Sequence, residues 1–330
     1  RAKLLAESKK LWHLHTEPRE PWVWWRAHAR KKEERRMKGA HGVTMLAGMF
    51  VAAAAVAQNG LYLVPPREQD GYTSTTGYGL SSDGTTLVGV SGGDGLNGWG
   101  FRYTRNGGRV DLLQSLRVPQ VASADGSRIG GFHLELLPGP IFSAHLFRQS
   151  EANGFEYLAR AIPQVAAMSA AGDAMCGYNP LSGGRRQAMV WDEEGGMRAL
   201  QHFTETIFSS ESRDMTADGR TIVGDYNVGL QVFPMRWTEA TGMVRLDLPH
   251  AGAEGSAFGV SPSGRYAVGV ELGLQNSLVV WDGFDNPQAI APLASSEVPT
   301  AVTNGGLVVG DWEGGSQGAW IWSASTGKIS

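Results

Sequence analysis

Apolar and polar positions alternate in short runs along most of the chain. The runs are punctuated by Asp-Gly, Asn-Gly or Thr-Gly pairs, as where Asp83-Gly84 precedes TTLVG and Asp218-Gly219 precedes RTIVG. A period of two predicts half-buried β-strands, and residue pairs that supply positive φ predict tight hairpin turns between them.

The pattern repeats. A small or polar residue, a turn pair ending in Gly and a second Gly five positions on recur as SSDGTTLVG to Gly89, SADGSRIGG to Gly131, SAAGDAMCG to Gly177, TADGRTIVG to Gly224, SPSGRYAVG to Gly269 and VTNGGLVVG to Gly310. The intervals are 42, 46, 47, 45 and 41 residues. After each second Gly comes an aromatic residue, in order Tyr103, Phe147, Trp191, Trp237, Trp281 and Trp322. Most copies then show a Gly turn, such as Asn153-Gly154 or Thr241-Gly242, and a short apolar stretch ending near Leu112, Leu158, Leu200 or Leu246. The copy at 283–290 departs from this, reading GFDNPQAI.

Each unit therefore reads as strand, Asp-Gly turn, strand, variable loop, aromatic strand, Gly turn, strand. Four short antiparallel strands per unit of this length predict a propeller blade, and a fixed long period governs the whole architecture. The predicted fold is all-β: a β-propeller of about six four-stranded blades, with a non-propeller segment before it. An open β-solenoid or a larger propeller would carry the same pattern. A closed ring must hide its seam. Gly60-Leu61-Tyr62-Leu63-Val64-Pro65 resembles the last strand of a unit, so residues 60–65 are expected to complete the sixth blade.

Composition changes the picture at the front of the chain. Of 29 Lys+Arg and 32 Asp+Glu in 330 residues, 12 and 5 fall within residues 1–38, leaving 17 and 27 for the rest. A basic head on an acidic body fits a nucleic-acid arm or a basic extension with the aromatic cluster Trp22, Trp24 and Trp25, but a simpler account exists. From Met37 the chain reads MKGAHGVTMLAGMFVAAAAVAQ, with Lys38, an apolar run from Val43 to Ala57, and Ala55 and Ala57 flanking Val56. That is the layout of a secretory signal peptide with its A-x-A cleavage site. The apolar run is shorter than the roughly 20 residues that span a bilayer as a helix. The expected organisation is a basic upstream extension over 1–36, a signal peptide over 37–57 and the six-repeat propeller over 58–330. Its expected location is outside the cell, at its surface or in the periplasm, with no stable membrane span after cleavage. The acidic body predicts no nucleic-acid partner.

The SxDGxxxVG, RWT and TGM-x-x-L blocks, as in MTADGRTIVG at 215–224 and MRWTEATGMVRL at 235–246, resemble the HAF-type "probable extracellular repeat" of secreted bacterial proteins. VSPSGRYAVG also resembles the repeats of TolB-like propellers. The resemblance implies an exported repeat protein of undefined activity and hands over no catalytic residues. Copy 2 departs from it, lacking the Trp and carrying an expanded loop at 136–141, and copy 5 lacks the Gly-Met turn.

Catalytic motifs are missing: there is no H-E-x-x-H, G-x-S-x-G, P-loop or EF-hand spacing. Downstream of residue 57 the His residues are His133, His145, His202 and His250, at no ligand spacing, so no metal and no cofactor are expected. Cys176 takes the place of Val88, Val223, Val268 and Val309 in sister copies and reads as a small buried hydrophobe. The aromatic set reads as packing between blades.

The loops after each second Gly vary most between copies and would lie at the end of the blades opposite the Asp-Gly turns. They present Asp94, Tyr178, Arg185, Arg186, Asp225, Tyr226, Glu271, Asp311, Trp312 and Glu313. Mixed acids, Arg and aromatics suit a polar ligand such as a glycan or a peptide, carried on a constant scaffold. The expected function is a non-enzymatic binding or surface-interaction module for a polysaccharide, peptide or envelope partner. The alternative is a secreted glycoside hydrolase or lyase, whose paired carboxylates would come from Asp94, Asp225, Glu271, Asp311 and Glu313 at a separation of about 5 to 9.5 Å.

Overall fold

The computed structural model describes residues 64–67, 71–92, 98–112, 117–136, 142–160, 164–200, 207–294, 297–312 and 318–329. The proposed extension and signal peptide lie outside them. The described chain forms 24 strands in six four-stranded antiparallel sheets, each pairing in simple sequence order, which makes a six-bladed β-propeller.

Blade one holds β1 (Thr75–Leu80), β2 (Thr86–Ser91), β3 (Trp99–Thr104) and β4 (Gly108–Asp111). Blade two holds β5 (Arg117–Ala122), β6 (Arg128–Leu136), β7 (Phe142–Ser150) and β8 (Gly154–Arg160). Blade three holds β9 (Gln164–Met168), β10 (Ala174–Pro180), β11 (Arg186–Asp192) and β12 (Gly196–Ala199). Blade four holds β13 (Ser209–Met215), β14 (Thr221–Val228), β15 (Gln231–Thr238) and β16 (Gly242–Arg245). Blade five holds β17 (Glu254–Val260), β18 (Tyr266–Leu272), β19 (Asn276–Asp282) and β20 (Asn286–Leu293). Blade six holds β21 (Glu297–Val302), β22 (Val308–Trp312), β23 (Ala319–Ser323) and β24 (Gly327–Ile329). The first strand of each blade is the innermost, and from blade one through to blade six each packs on the first strand of the blade that follows it.

The repeated motif is explained residue by residue. Its Ser or Thr ends the inner strand and closes the turn: Ser81 Oγ donates to Asp83 Oδ1 at 2.6 Å and accepts from Thr86 N at 2.9 Å. Ser123 with Asp125 and Thr216 with Asp218 do the same. In copy 3, where Ala171 stands at the aspartate position, Asp173 takes over and accepts from Ser169 Oγ at 2.5 Å. The first Gly of the motif has positive φ in copies one to five, for example 70° at Gly84 and 70° at Gly219, and in copy six Gly306, one residue later, takes it at 78°. The second Gly sits where the inner strand crosses closest. A Cβ on Gly224 would lie 2.0 Å from the Glu211 carbonyl oxygen, and one on Gly177 would lie 1.7 Å from that of Gln164.

Backbone hydrogen bonds tie each Asp-Gly turn to the next. Asp83 N donates to Ala124 O at 3.0 Å, Ala124 N to Ala170 O at 3.0 Å, Ala170 N to Ala217 O at 2.8 Å and Ala217 N to Pro262 O at 2.9 Å. Ser263 N then donates to Asn304 Oδ1 at 2.9 Å. The inner strands carry a β-bulge at one shared position, leaving Tyr78, Gln120, Ala166, Arg213, Phe258 and Thr300 without ladder partners.

Five apolar clusters each straddle one junction between successive blades. The repeated aromatic faces the preceding blade in them: Phe147 and Trp281 are 0% exposed, Trp191 6% and Trp237 5%. Removing one such side chain costs about 3–5 kcal/mol. Trp322 is partly buried in the last cluster and Tyr103 is half-buried. Cys176 is buried in the cluster between blades three and four, as Val88, Val223 and Val268 are in theirs, while Val309 is half-buried; burial pushes the Cys176 thiol pKa up.

The sheet order gives blade six a fourth strand other than the expected residues 60–65, of which 60–63 lie outside the described residues. The Thr326-Gly327 turn lets the chain double back after β23, so β24 itself supplies the fourth strand. Val64–Arg67 belongs to no strand and is held on blade one instead. Arg109 Nη1 donates to Pro65 O at 2.7 Å, Arg67 Nε donates to Asp111 Oδ2 at 2.9 Å, and the Arg67 guanidinium lies 3.8 Å from the Trp99 ring centroid.

Candidate functional site

At the blade ends opposite the Asp-Gly turns, blades three and four bring five chemically active side chains together. Tyr178 comes from the end of β10, Arg186 from the start of β11, Glu211 and Arg213 from β13 and Asp225 from β14. Arg213 is the bulged residue of its strand, and a bulge re-aims the side chain it carries. Its Nε donates to Asp225 Oδ2 at 2.6 Å, and its Nη2 lies 3.5 Å from Glu211 Oε2. Arg186 Nη1 donates to the same Glu211 oxygen, so Glu211 bridges two guanidinium groups.

Each guanidinium also covers an aromatic ring. Arg186 lies 4.7 Å from the Tyr178 ring centroid and Arg213 lies 4.7 Å from that of Phe258, the bulged residue of blade five. At the rim, Arg185 is 5.7 Å from the Phe208 ring, and Phe208 is 52% exposed.

Burial works against the Arg213 charge, but the Asp225 and Glu211 carboxylates outweigh it and hold its pKa above the ordinary arginine value. Burial first, and then the Glu211 charge, raise the Tyr178 hydroxyl, which stays protonated. Glu211 and Asp225 are buried and matched by the two arginines, the arrangement that makes buried charge tolerable.

The other loop candidates lie apart from this cluster. Tyr226 is 1% exposed and packs against Phe233 in the apolar cluster between blades three and four. Glu271 is buried and accepts from His250 N at 3.0 Å, with His250 Nδ1 2.9 Å away, so it anchors the connection from blade four to blade five. Asp311 is exposed near the end of β22, and Trp312 ends that strand opposite Glu297. Asp94 and Glu313 lie outside the described residues. Of the acids nominated for paired-carboxylate chemistry, Asp225 is engaged by Arg213 and Glu271 by His250.

Glu211 and Arg213 escape a reading confined to the loops, because they sit on an inner strand. The available signal is the run Glu211, Arg213, Asp214, three charged residues where the inner strand of copy 5 has Ser256, Phe258 and Gly259. Glu297 is likewise missed. It is buried, accepts from Ala294 N at 2.7 Å and is bound by Lys328, the one lysine downstream of residue 57. Among the described residues no group of three or more His, Cys, Asp or Glu is placed to hold a metal ion, and no helix is long and apolar enough to cross a membrane.

Solved structures similar to this chain are propellers. The β-propeller domain of the Trilobed protease from Pyrococcus furiosus, which has an open velcro topology, matches at 12% identity and TM-score 0.54 over 77% of this chain and 83% of that one. An oligogalacturonate lyase in complex with manganese matches at 15% identity and TM-score 0.51 over 74% of this chain and 75% of that one. TolB from Acinetobacter baumannii matches at 15% identity and TM-score 0.48 over 73% of this chain, which spans 61% of that protein. At such identities the likeness shows the fold alone. No protein-family model and no curated protein matches the chain.

Proposed function

We propose that the protein is an exported repeat propeller of the HAF type that works as a non-enzymatic binding module for a polysaccharide, peptide or envelope partner. Its ligand face is the blade end carrying Tyr178, Arg185, Arg186, Glu211, Arg213 and Asp225. Support for export comes from the signal-like segment from Met37 to Ala57 and from the SxDGxxxVG repeats.

One observation carries the binding reading: three guanidinium–aromatic pairs, Arg185 with Phe208, Arg186 with Tyr178 and Arg213 with Phe258, stand together at this end of blades three to five. Flat apolar faces beside fixed donors and acceptors are what an oriented polar ligand needs. Ion pairing holds the donors in one geometry before any ligand arrives, which lowers the ordering cost of binding.

The test is a glycan, polysaccharide and peptide array probed with the full chain, with each well assayed for cleavage products. Binding without cleavage, weakened in Arg186→Gln and Arg185→Ala, is the expected result. Cleavage of a bound sugar, lost on substitution of Asp225 or Glu211, would replace this reading with the hydrolase or lyase one.

A further inference from the structure

Blade two departs from the other five at the same end of the molecule. Its β6 and β7 are nine residues each, whereas the second and third strands of the other blades run from five to eight. The added length carries chemistry. His133 stands opposite His145 in the ladder and Glu135 opposite Ser143, so all four side chains share the face that bears Phe147.

On β8, Phe155 and Tyr157 join that face, and a register shift at Leu158 then brings Arg160 opposite His145. Strict alternation would have sent Arg160 to the other face; the bulge keeps it beside Tyr157.

The resulting constellation has an aromatic floor and a polar rim. Phe147 and Phe155 stack at 4.9 Å, Phe155 meets Tyr157 edge-on at 4.8 Å, and the Arg117 guanidinium lies 3.6 Å from the Phe155 centroid. Along the rim, Arg160 Nε donates to Ser143 Oγ at 3.1 Å, Ser143 Oγ bonds His145 Nε2 at 3.1 Å, and Glu135 Oε2 lies 3.3 Å from the same nitrogen. The His145 ring centroid is 5.1 Å from that of Tyr157. Packing explains Phe147 and Phe155, which belong to the cluster between blades one and two. It does not explain why Tyr157 is held in place while 54% exposed, with Arg160 exposed on the same face.

We propose that this face of blade two is a second binding site, for an acidic oligosaccharide, with a uronate residue as the recognised unit. The exposed Tyr157 ring stacks against the C–H face of the sugar, and the Arg160 guanidinium meets its carboxylate. Glu135 and His145 hydrogen-bond the ring hydroxyls. The Glu135 carboxylate in the same network, against His145, favours a monoanionic carboxylate over a more highly charged phosphate. None of these residues belongs to the cluster on blades three to five, so the site goes beyond the function proposed above.

The test is isothermal titration of the full chain with an oligomer of glucuronic acid and with the neutral glucose oligomer of the same length. The acidic oligomer is expected to bind, and the neutral one to bind at least about tenfold more weakly. Tyr157→Ala and Arg160→Gln should each weaken binding about tenfold, Tyr157→Phe should keep it within about twofold, and Arg186→Gln should leave it unchanged. Tyr157→Phe and Arg160→Gln, both at exposed positions, keep the test informative if Tyr157→Ala unfolds. No binding of the acidic oligomer up to millimolar concentration, equal binding of the neutral one, or loss on Arg186→Gln without loss on Arg160→Gln would overturn the proposal.

Discussion

The second glycine of each repeat gives a direct test of how the blades are built. Gly269 lies on β18 opposite the inner strand β17. An added Cβ would sit 2.1 Å from the Ser256 carbonyl oxygen, 2.9 Å from Trp281 Cζ3 and 3.0 Å from the Ala257 Cα. Carbon–oxygen contacts ordinarily settle near 3.3–3.6 Å, so the methyl group is more than about 1 Å too close to backbone. The strand cannot simply retreat, because β17 is paired along β18 and packed between β13 and β21.

Overpacking of this kind costs about 1–3 kcal/mol and occasionally more, whereas replacing a strand glycine by alanine returns roughly 0.5–1 kcal/mol of backbone entropy. Gly269→Ala should therefore lose about 1–2 kcal/mol net, which lowers Tm by roughly 2–4 °C for a chain of this size. The matched control is Gly273→Ala, four residues on, where the nearest atom to the new Cβ is Gln275 O at 3.6 Å. It should stay within about 0.5 kcal/mol of the parent. Thermal unfolding followed by tryptophan fluorescence, with both variants scanned at one rate, reads the difference. Equal Tm values for the two variants would refute the close-approach account of the motif.

Three further outcomes follow from the same geometry. Ser123 is 0% exposed and its Oγ accepts from Arg128 N at 2.9 Å, so Ser123→Ala strands a buried N–H and should cost about 1–3 kcal/mol in urea unfolding, while Ser123→Thr should recover most of it. Hydrogen bonds from the Ser127 backbone, and then from Ser123, depress the Asp125 carboxyl from 3.8 to about 2. Its contribution is fully present above its unfolded value and is lost as pH falls through its folded one, so stability should drop between about pH 4 and pH 2, with a shallower drop in Asp125→Asn. Asp214 behaves in the opposite sense: burial raises its carboxyl from 3.8 to about 7, against opposing hydrogen bonds from Val260 N and Met215 N. The folded state then holds the extra proton between those values, so stability should fall as pH rises from about 4 to about 7, and denaturant titrations of Asp214→Asn should show a flatter profile there.

The fold was legible because each blade advertises itself twice. Turn pairs of the Asp83-Gly84 kind have few conformational alternatives, and a glycine such as Gly224 is needed wherever the inner strand crosses closely. Both constraints act within about ten residues of chain, where sequence spacing and spatial spacing coincide. The fourth strand of blade six was misread because two segments offered one, and the nearer in sequence pairs with β23. Gly60–Pro65 and Gly327–Ile329 both have the local character of a fourth strand, and local character does not choose between them.

The candidate face was legible only in outline, for a reason of register. The strands run further than the loop-like residues suggested, so Asp225 and Tyr226, adjacent in sequence, both lie inside β14 and point to opposite faces. Asp225 reaches Arg213 while Tyr226 goes into the core. Bulges invert the same rule elsewhere: an extra residue at Arg213 turns an inner-strand side chain toward Phe258, and one at Leu158 keeps Arg160 on the face of Tyr157. A bulge adds one residue to one strand and has no residue preference strong enough to be read without its partner strand. At Arg213 and Arg160 the break in strict alternation places a charge, whereas at Tyr78, Gln120, Ala166, Phe258 and Thr300 it does not. Both proposed binding faces thus use a side chain that a ladder irregularity re-aims, Arg213 on β13 and Arg160 on β8.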